Sequence, residues 1–437
     1  MKQTVKLGVC CLVRKTFDFE AAAEIYTNIL AQLQQDKSIE LAAIEAPVLE
    51  PDEAVAAGKA FAQQQVDGIV VISGTFHLGH LLLEIKKHAA KPTLLWGLPE
   101  LPYNGGKIRL NSVCGVNLNA SNLVKSGYPD FTYTIGMEID QDWVDAVRMI
   151  RALRDCRVGI LGYRAHGFFN VGVSELALYE KFGVIVDHYE LADLWDIEED
   201  QTLAVRYAQL IKDKFDTSEC SAEKVEKVSR LAAKFQTFAK QSGLSALAVR
   251  CWPEFASGYG ISPCAAMSLA QADGLIVACE GDIDCALTML CHKAAGAQTP
   301  FMADLSQADL EGDSALMWHC GVAPCSLTDG KCTPTLDTYF AGGKGVTAGF
   351  VMRSGAINMA RLDSINGNYR LFQERGQALE MEKLLSGTYA KVRFDLPMRK
   401  VLDKVIYTGV AHHVSMVYGD YTRPFEIFAR FKQLELL

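Results

Sequence analysis

Short apolar runs alternate with amphipathic ones through most of the chain, and that alternation leaves few folds open. TVKLGVCCLV reads as a strand, and FDFEAAAEIYTNILAQLQQ places Ala, Ile and Leu three and four residues apart, as a helix does. VDGIVVISG, HLLLEIKKHA and KPTLLWGLP continue the series as strand, helix and strand. This β-α-β-α-β order predicts a parallel sheet covered by helices. A second series opens at CRVGILGYR, with ELALYEKFG as a helix and VIVDHYEL as a strand. A polar helical run follows over 198–242. LSALAVRCWPEF and DGLIVACEGD then read as strands separated by a helix at PCAAMSLAQA, and TPFMADL as one strand more. Beyond about residue 320 the texture becomes Gly, Thr, Pro and short alternating stretches, as in AGGKGVTAGFVMRSG and AKVRFDLP. The expected class is α/β. Two doubly wound α/β domains with parallel sheets span 1–155 and 156–320, and a mainly antiparallel β domain spans 321–437.

The chain has 437 residues, long enough for two or three domains. Its net charge of −9 disfavours a nucleic-acid surface. No apolar run reaches the roughly 18 residues that a membrane helix needs. The N-terminus, MKQTVKLGVCCLVRK, lacks a long apolar core and a small-residue cleavage site, so it reads as a first strand rather than a leader. Thirteen cysteines, an odd number scattered through apolar segments, point to reduced thiols and a cytoplasmic location. Cys320, Cys325 and Cys332 lie near His319, but zinc sites favour tighter pairs, and small residues near a loop account for them better.

Three strands run into carboxylates: Glu254, Glu280 (with Asp282 just after it) and Asp304. Ligands of open α/β sheets gather at the carboxyl ends of strands. A carboxylate at a buried strand end is unfavourable unless it is paired or bound to a cation. Two carboxylates with a histidine suit manganese, magnesium or a similar divalent ion. Helix capping is the competing role, for Glu280 over the helix that follows it and for Asp304 over a helix starting at SQADLEG. In GVAHHVSMVYGDY, the adjacent His412 and His413 face opposite ways if extended, so one is a candidate ligand and the other a substrate or core contact.

Residues 274–420 resemble the L-fucose isomerase and L-arabinose isomerase superfamily, the fucose branch more closely. The likeness rests on the ACEGD strand end, on Phe301-Met-Ala-Asp304 24 residues after Glu280, on Tyr339-Phe340 before a glycine-rich hairpin, and on Ala411-His412-His413, where His412 replaces the usual asparagine. It implies Glu280, Asp304 and His413 as metal ligands, Mn2+ as the ion, and no organic cofactor. It implies aldose–ketose isomerisation through a cis-enediol, with Glu280 and Asp304 as acid and base. It also implies a homo-oligomer, trimer or hexamer, with sites completed by a neighbouring subunit. L-Fucose or D-arabinose is the parent substrate, and shorter relatives act on sulfoquinovose, whose sulfonate needs a basic anchor such as Arg14, Lys15 or Arg164. His319 follows Asp304 by 15 residues, about where the arabinose branch has an extra metal histidine.

Arg14, Trp252, Glu254, His319, Tyr339 and His412 are the candidate substrate contacts. Arg14 and Glu254 (the latter beside Arg250) sit after strands, and Trp252 offers a stacking face. Ser73 and His77 in SGTFHLGH also follow a strand. Two other classes compete. A non-enzymatic sugar-binding protein would need no buried metal carboxylates, and a metal-dependent hydrolase would use a richer histidine set. A nicotinamide enzyme is disfavoured because no G-x-G-x-x-G follows a strand, and no P-loop is present.

Overall fold

The computed structural model describes residues 2–338 and 343–437, so Tyr339 lies outside the described residues. The chain forms two compact units, Lys2–Arg151 with Arg423–Gln433, and Ala152–Thr422 with Leu434–Leu437. Among the described residues no helix is long and apolar enough to cross a membrane. No disulfide links any of the thirteen cysteines.

The N-terminal unit holds strands β1 (Val5–Leu12), β2 (Ile39–Ala43), β3 (Gly68–Ser73), β4 (Thr93–Gly97) and β5 (Phe131–Ile135). All pair in parallel, in the order β2-β1-β3-β4-β5. β3 and β4 are buried at every residue, as expected of a parallel sheet with helices on both faces. The helix Thr422–Lys432 buries Phe425, Ile427, Phe428 and Phe431 and sets Arg430 over the Phe131 ring at 5.5 Å. The sequence places this segment with the C-terminal β domain. In the fold it completes the N-terminal unit instead, because its amphipathic face finds its apolar partner there.

The second unit contains two sheets. Strands β6 (Arg157–Leu161), β7 (Ile185–Tyr189), β8 (Ala246–Val249) and β9 (Val277–Cys279) form a parallel sheet in the order β7-β6-β8-β9, which repeats the winding of the first unit. Among the described residues, nine strands form a mixed, mostly antiparallel sheet: β10 (Phe301–Asp309), β11 (Ser314–His319), β12 (Thr335–Asp337), β13 (Thr347–Val351), β14 (Gly355–Ile365), β15 (Asn368–Leu379), β16 (Thr388–Phe394), β17 (His413–Tyr418) and β18 (Glu435–Leu436). β14 and β15 close on Asn366-Gly367, both at positive φ, the backbone that a two-residue hairpin turn of type I′ requires.

One strand sits elsewhere than the sequence suggests. β10 does not end the parallel sheet at Asp304. It continues to Asp309 as a central strand of the large sheet, antiparallel to β11 and β17. No helix follows Asp304, because Gln307-Ala308-Asp309 pair with Ser314-Ala315-Leu316 across a turn in which Asp309 accepts the Gly312 N–H at 2.9 Å. The large sheet therefore begins at Phe301 rather than after residue 320.

One helix couples the two sheets of this unit. Ile283–Ala295 leaves the end of β9 and packs on β14 and β17. His292 bridges Ser415 Oγ and Asn358 Oδ1, both at 2.8 Å, and Thr288 Oγ1 accepts the Leu362 N–H at 2.9 Å. The turn at the start of this helix is thereby fixed relative to β17.

Candidate active site

β9 ends in two consecutive left-handed residues, Glu280 at φ 62° and Gly281 at φ 75°. A Cβ on Gly281 would lie 2.5 Å from Arg164 Cα and 2.6 Å from the Tyr163 carbonyl oxygen, so only glycine fits there. Glu280 has no such freedom, and a non-glycine residue in this region costs about 1–3 kcal/mol. Two hydrogen bonds hold it, from Ala165 N–H to the Glu280 carbonyl (2.9 Å) and from Gly281 N–H to the Val249 carbonyl (3.1 Å). Asp282 caps the helix, accepting the Cys285 N–H at 2.9 Å. Capping thus falls to Asp282, and the Glu280 side chain is left for other use.

The large sheet supplies the remaining groups through its register. Asp304 on β10 stands opposite His413 on β17 and opposite Trp318 on β11, next to His319. His413 Nε2 is 3.0 Å from Glu280 Oε2 and 3.7 Å from Asp304 Oδ1, while its Nδ1 is 2.8 Å from Asp282 Oδ2. Trp252 Nε1 donates to Glu280 Oε1 at 3.3 Å. His412 places Nε2 3.8 Å from Glu280 Oε2, and its Nδ1 is 3.1 Å from the Asn170 amide nitrogen.

Behind His413 runs a buried chain of charges. Arg361, fully buried, reaches Asp282 with two nitrogens at 2.8 and 3.3 Å, donates to the His413 carbonyl at 2.9 Å, and lies 3.4 Å from Asp363. Asp363 in turn takes Arg370 at 2.6 Å. Burial alone would raise the Asp282 pKa, but Arg361 and His413 hold it well below the usual carboxylate range. Asp282 is therefore an acceptor, and His413 Nδ1 donates to it. That leaves His413 Nε2 facing Glu280 and Asp304.

Burial opposes ionisation of Glu280, yet His412 and His413 hold its pKa at about 2. The His413 pKa is raised against burial by the carboxylates of Asp282 and Glu280 beside it. A field that favours a proton on Nε2 equally favours a metal cation in its place. His413 Nε2 and Asp304 Oδ1 are both buried and make no hydrogen bond. Two overlapping triads have ligand atoms within 4.8 Å of one another, Glu280-His412-His413 and Asp304-His319-His413. Oxygen and imidazole donors of this kind fit a divalent ion such as Mn2+. Asp282 then has the place of the carboxylate that orients a metal-binding histidine through its other nitrogen.

His319 differs from His413 in its hydrogen bonding. Its Nδ1 accepts the Cys320 backbone N–H at 2.9 Å, so the ring carries its proton on Nε2, which is buried and makes no hydrogen bond. The ring is parallel to Trp318 within 8°. It presents an N–H donor to the cavity rather than a lone pair.

The cavity beside this cluster has a volume of about 610 Å³, and Trp252, Trp318, His319, Glu280 and Asp304 line it. Glu254 is not in its wall, although Pro253 and Ala256 on either side of it are, because its side chain pairs with Arg250 at 3.0 Å. Arg14 belongs to the N-terminal unit, where its side chain is exposed and its amide donates to Thr75 Oγ1 at 2.8 Å. Ser73 and His77 are fully buried in the same unit. Of Cys320, Cys325 and Cys332, Cys320 alone lines the cavity, with its Sγ 3.6 Å from that of Cys264, which lines it too. Sequence reasoning did not single out Arg361, which lies in an alternating stretch with nothing local to mark it, nor the role of Asp282.

A family model described as "Fucose/sulfoquinovose isomerase, N-terminal domain" matches residues 8–159. A sulfoquinovose isomerase of Priestia aryabhattai is 26% identical over 432 residues, covering 97% of this chain and 96% of that protein. A sulfoquinovose isomerase of Alkalicoccus urumqiensis is 24% identical, covering 85% of this chain and 86% of its own. Among solved structures, a D-allose-bound periplasmic solute-binding protein from Actinobacillus succinogenes is 12% identical over 59% of this chain and 81% of its own, at a TM-score of 0.18, too low to carry any argument. These likenesses make the chain an aldose–ketose isomerase. It is similar to the fucose isomerase-like family.

Proposed function

We propose that the chain interconverts sulfoquinovose and its ketose through a cis-enediol, with a divalent ion, Mn2+ in the first place, held by Glu280, Asp304 and His413. The substrate reading rests on relatives of that name that match nearly the whole chain. The metal reading rests on one observation, the convergence of Glu280 Oε2 and the unsatisfied Asp304 Oδ1 on the unsatisfied Nε2 of His413. When bound, such an ion polarises neighbouring sugar oxygens as a Lewis acid.

The residues themselves divide the proton work. One carboxylate of the Glu280–Asp304 pair takes the proton from C2 of the open-chain aldose, and the C1 oxygen gains a proton as the enediol forms. A proton then returns to carbon at C1 while the C2 hydroxyl loses its own, so that the net change is the move of one carbonyl. Glu280, with a pKa near 2, is ionised at any ordinary working pH and is ready as a base. His319 Nε2–H donates to the oxygen on which negative charge grows. Trp252 fixes the other Glu280 oxygen and, with Trp318, gives the sugar an apolar wall.

The test is turnover of sulfoquinovose, followed by NMR of the ketose, against L-fucose, D-arabinose, L-arabinose and L-rhamnose. Activity on sulfoquinovose that EDTA abolishes and Mn2+ restores is expected, and Glu280→Gln is expected to lose bound metal and turnover together. Glu280→Gln protein with full metal content and full turnover would move the site elsewhere.

A further inference from the structure

A sugar sulfonate brings a permanent negative charge into a cavity that already contains two carboxylates. Such an anion is poorly accommodated away from water unless a cation meets it. Among the described residues that line the cavity, Lys344 is the one lysine or arginine. Its side chain is exposed to the cavity and forms no hydrogen bond or ion pair with any described residue. Its backbone is held from several directions. Ser262 N–H donates to the Lys344 carbonyl at 3.4 Å, Ser262 Oγ accepts the Val346 N–H at 2.9 Å, and Lys224 Nζ donates to the Gly343 carbonyl at 2.5 Å. A long flexible side chain therefore springs from a fixed base on the cavity wall.

The basic residues that the sequence offers as anchors do not have this position. Arg164 packs over the Tyr163 and Phe169 rings at 4.8 and 5.4 Å. Arg14 and Lys15 belong to the N-terminal unit. The carbonyl end of the substrate has to lie at Glu280 and Asp304, where the proton moves, so the far end of the six-carbon chain is directed to the rest of the cavity wall.

We infer that Lys344 is the anchor for the anionic C6 substituent and sets the preference for a sulfonated over a neutral sugar. The assignment rests on the sulfoquinovose reading above. The ammonium group is suited to this role because it meets a tetrahedral anion as a compact point charge without fixed geometry.

Kinetics of wild type, Lys344→Gln and Lys344→Arg on sulfoquinovose and on its neutral counterpart 6-deoxy-D-glucose test it, with bound Mn2+ measured for each. Lys344→Gln is expected to raise KM for sulfoquinovose about 10- to 100-fold, the loss of one charge-assisted contact, with kcat changed less than about threefold. Metal content and kcat/KM for 6-deoxy-D-glucose are expected to stay at wild-type values, and Lys344→Arg to recover most of the lost affinity. Equal kcat/KM for wild type and Lys344→Gln on sulfoquinovose would overturn the assignment and leave the substrate reading intact. A wild type that converts the neutral sugar but not sulfoquinovose would overturn both.

Discussion

At the scale of single residues, the proposed site gives Asp282 and His319 different tasks, one in holding a cation and the other in meeting the sugar. Asp282→Asn removes the acceptor that fixes His413 and leaves Arg361 partly unpaired in the interior. Mn2+ affinity, read by EPR of the free ion, is expected to fall about 10- to 100-fold, with a stability loss of about 3–5 kcal/mol from the broken buried pair. Unchanged affinity would remove Asp282 from that role. His319→Ala is expected to lower kcat about 10²- to 10³-fold, the effect of deleting one preorganised donor. Mn2+ affinity should stay within about threefold, whereas affinity lost in step with activity would make His319 a ligand. Glu280 and Asp304 stood out as candidates in the sequence because each carboxylate is out of keeping with its apolar neighbours, whereas the choice of His413 over His412 came from the family resemblance. Asp282 did not stand out, since a carboxylate before a helix reads fully as a cap, and here the same side chain both caps and orients. Arg361 was hidden for a different reason. Its partners are 79 and 52 residues distant, and only the packing of a helix against β14 and β17 joins them.

At the scale of elements, the helix Ile283–Ala295 carries the site at its first turn and shows how burial outweighs the helix dipole. Asp284 lies in that turn, where the N-terminus favours a negative charge, but Asp282 already occupies the cap. Burial, aided by the charge of Asp282, pushes Asp284 up to about 8, and the Tyr369 hydroxyl donates to it at 3.0 Å. An unfolded aspartate has a pKa of about 3.9. The folded state thus keeps a proton that the unfolded state releases between about pH 4 and 8, and stability falls as pH rises through that window. Wild type is expected to lose several °C of Tm from pH 6 to 9, and Asp284→Asn distinctly less. Parallel Tm curves for the two proteins would show that Asp284 does not titrate this way. The alternation of elements was readable up to β9. It failed at β10 because Ser306-Gln307-Ala308-Asp309 has the look of a capped helix start, whereas pairing of Gln307, Ala308 and Asp309 with β11 makes the segment a strand, with its polar end at a hairpin turn.

At the scale of the whole molecule, two windings of the same strand order and one large mixed sheet are assembled as two units whose boundaries do not follow the chain. The periodicity of the sequence marks the helix Thr422–Lys432 well enough, but not its destination. Phe428 in that helix is fully buried, and Phe428→Ala is expected to cost about 3–5 kcal/mol. Hydrogen exchange should quicken in residues 2–151 while residues 152–422 keep their protection, and quickening confined to the second group would place the helix with the other unit. The return of Arg423–Gln433 also bears on how the protein is made. The first 151 residues leave the ribosome lacking one of their own packing elements, which is translated about 270 residues later. At roughly 5–20 residues per second this is a delay on the order of tens of seconds. During that time the surface awaiting Phe425 and Phe428 is open to chaperones, so the N-terminal unit is completed only after residues 152–422 have been translated.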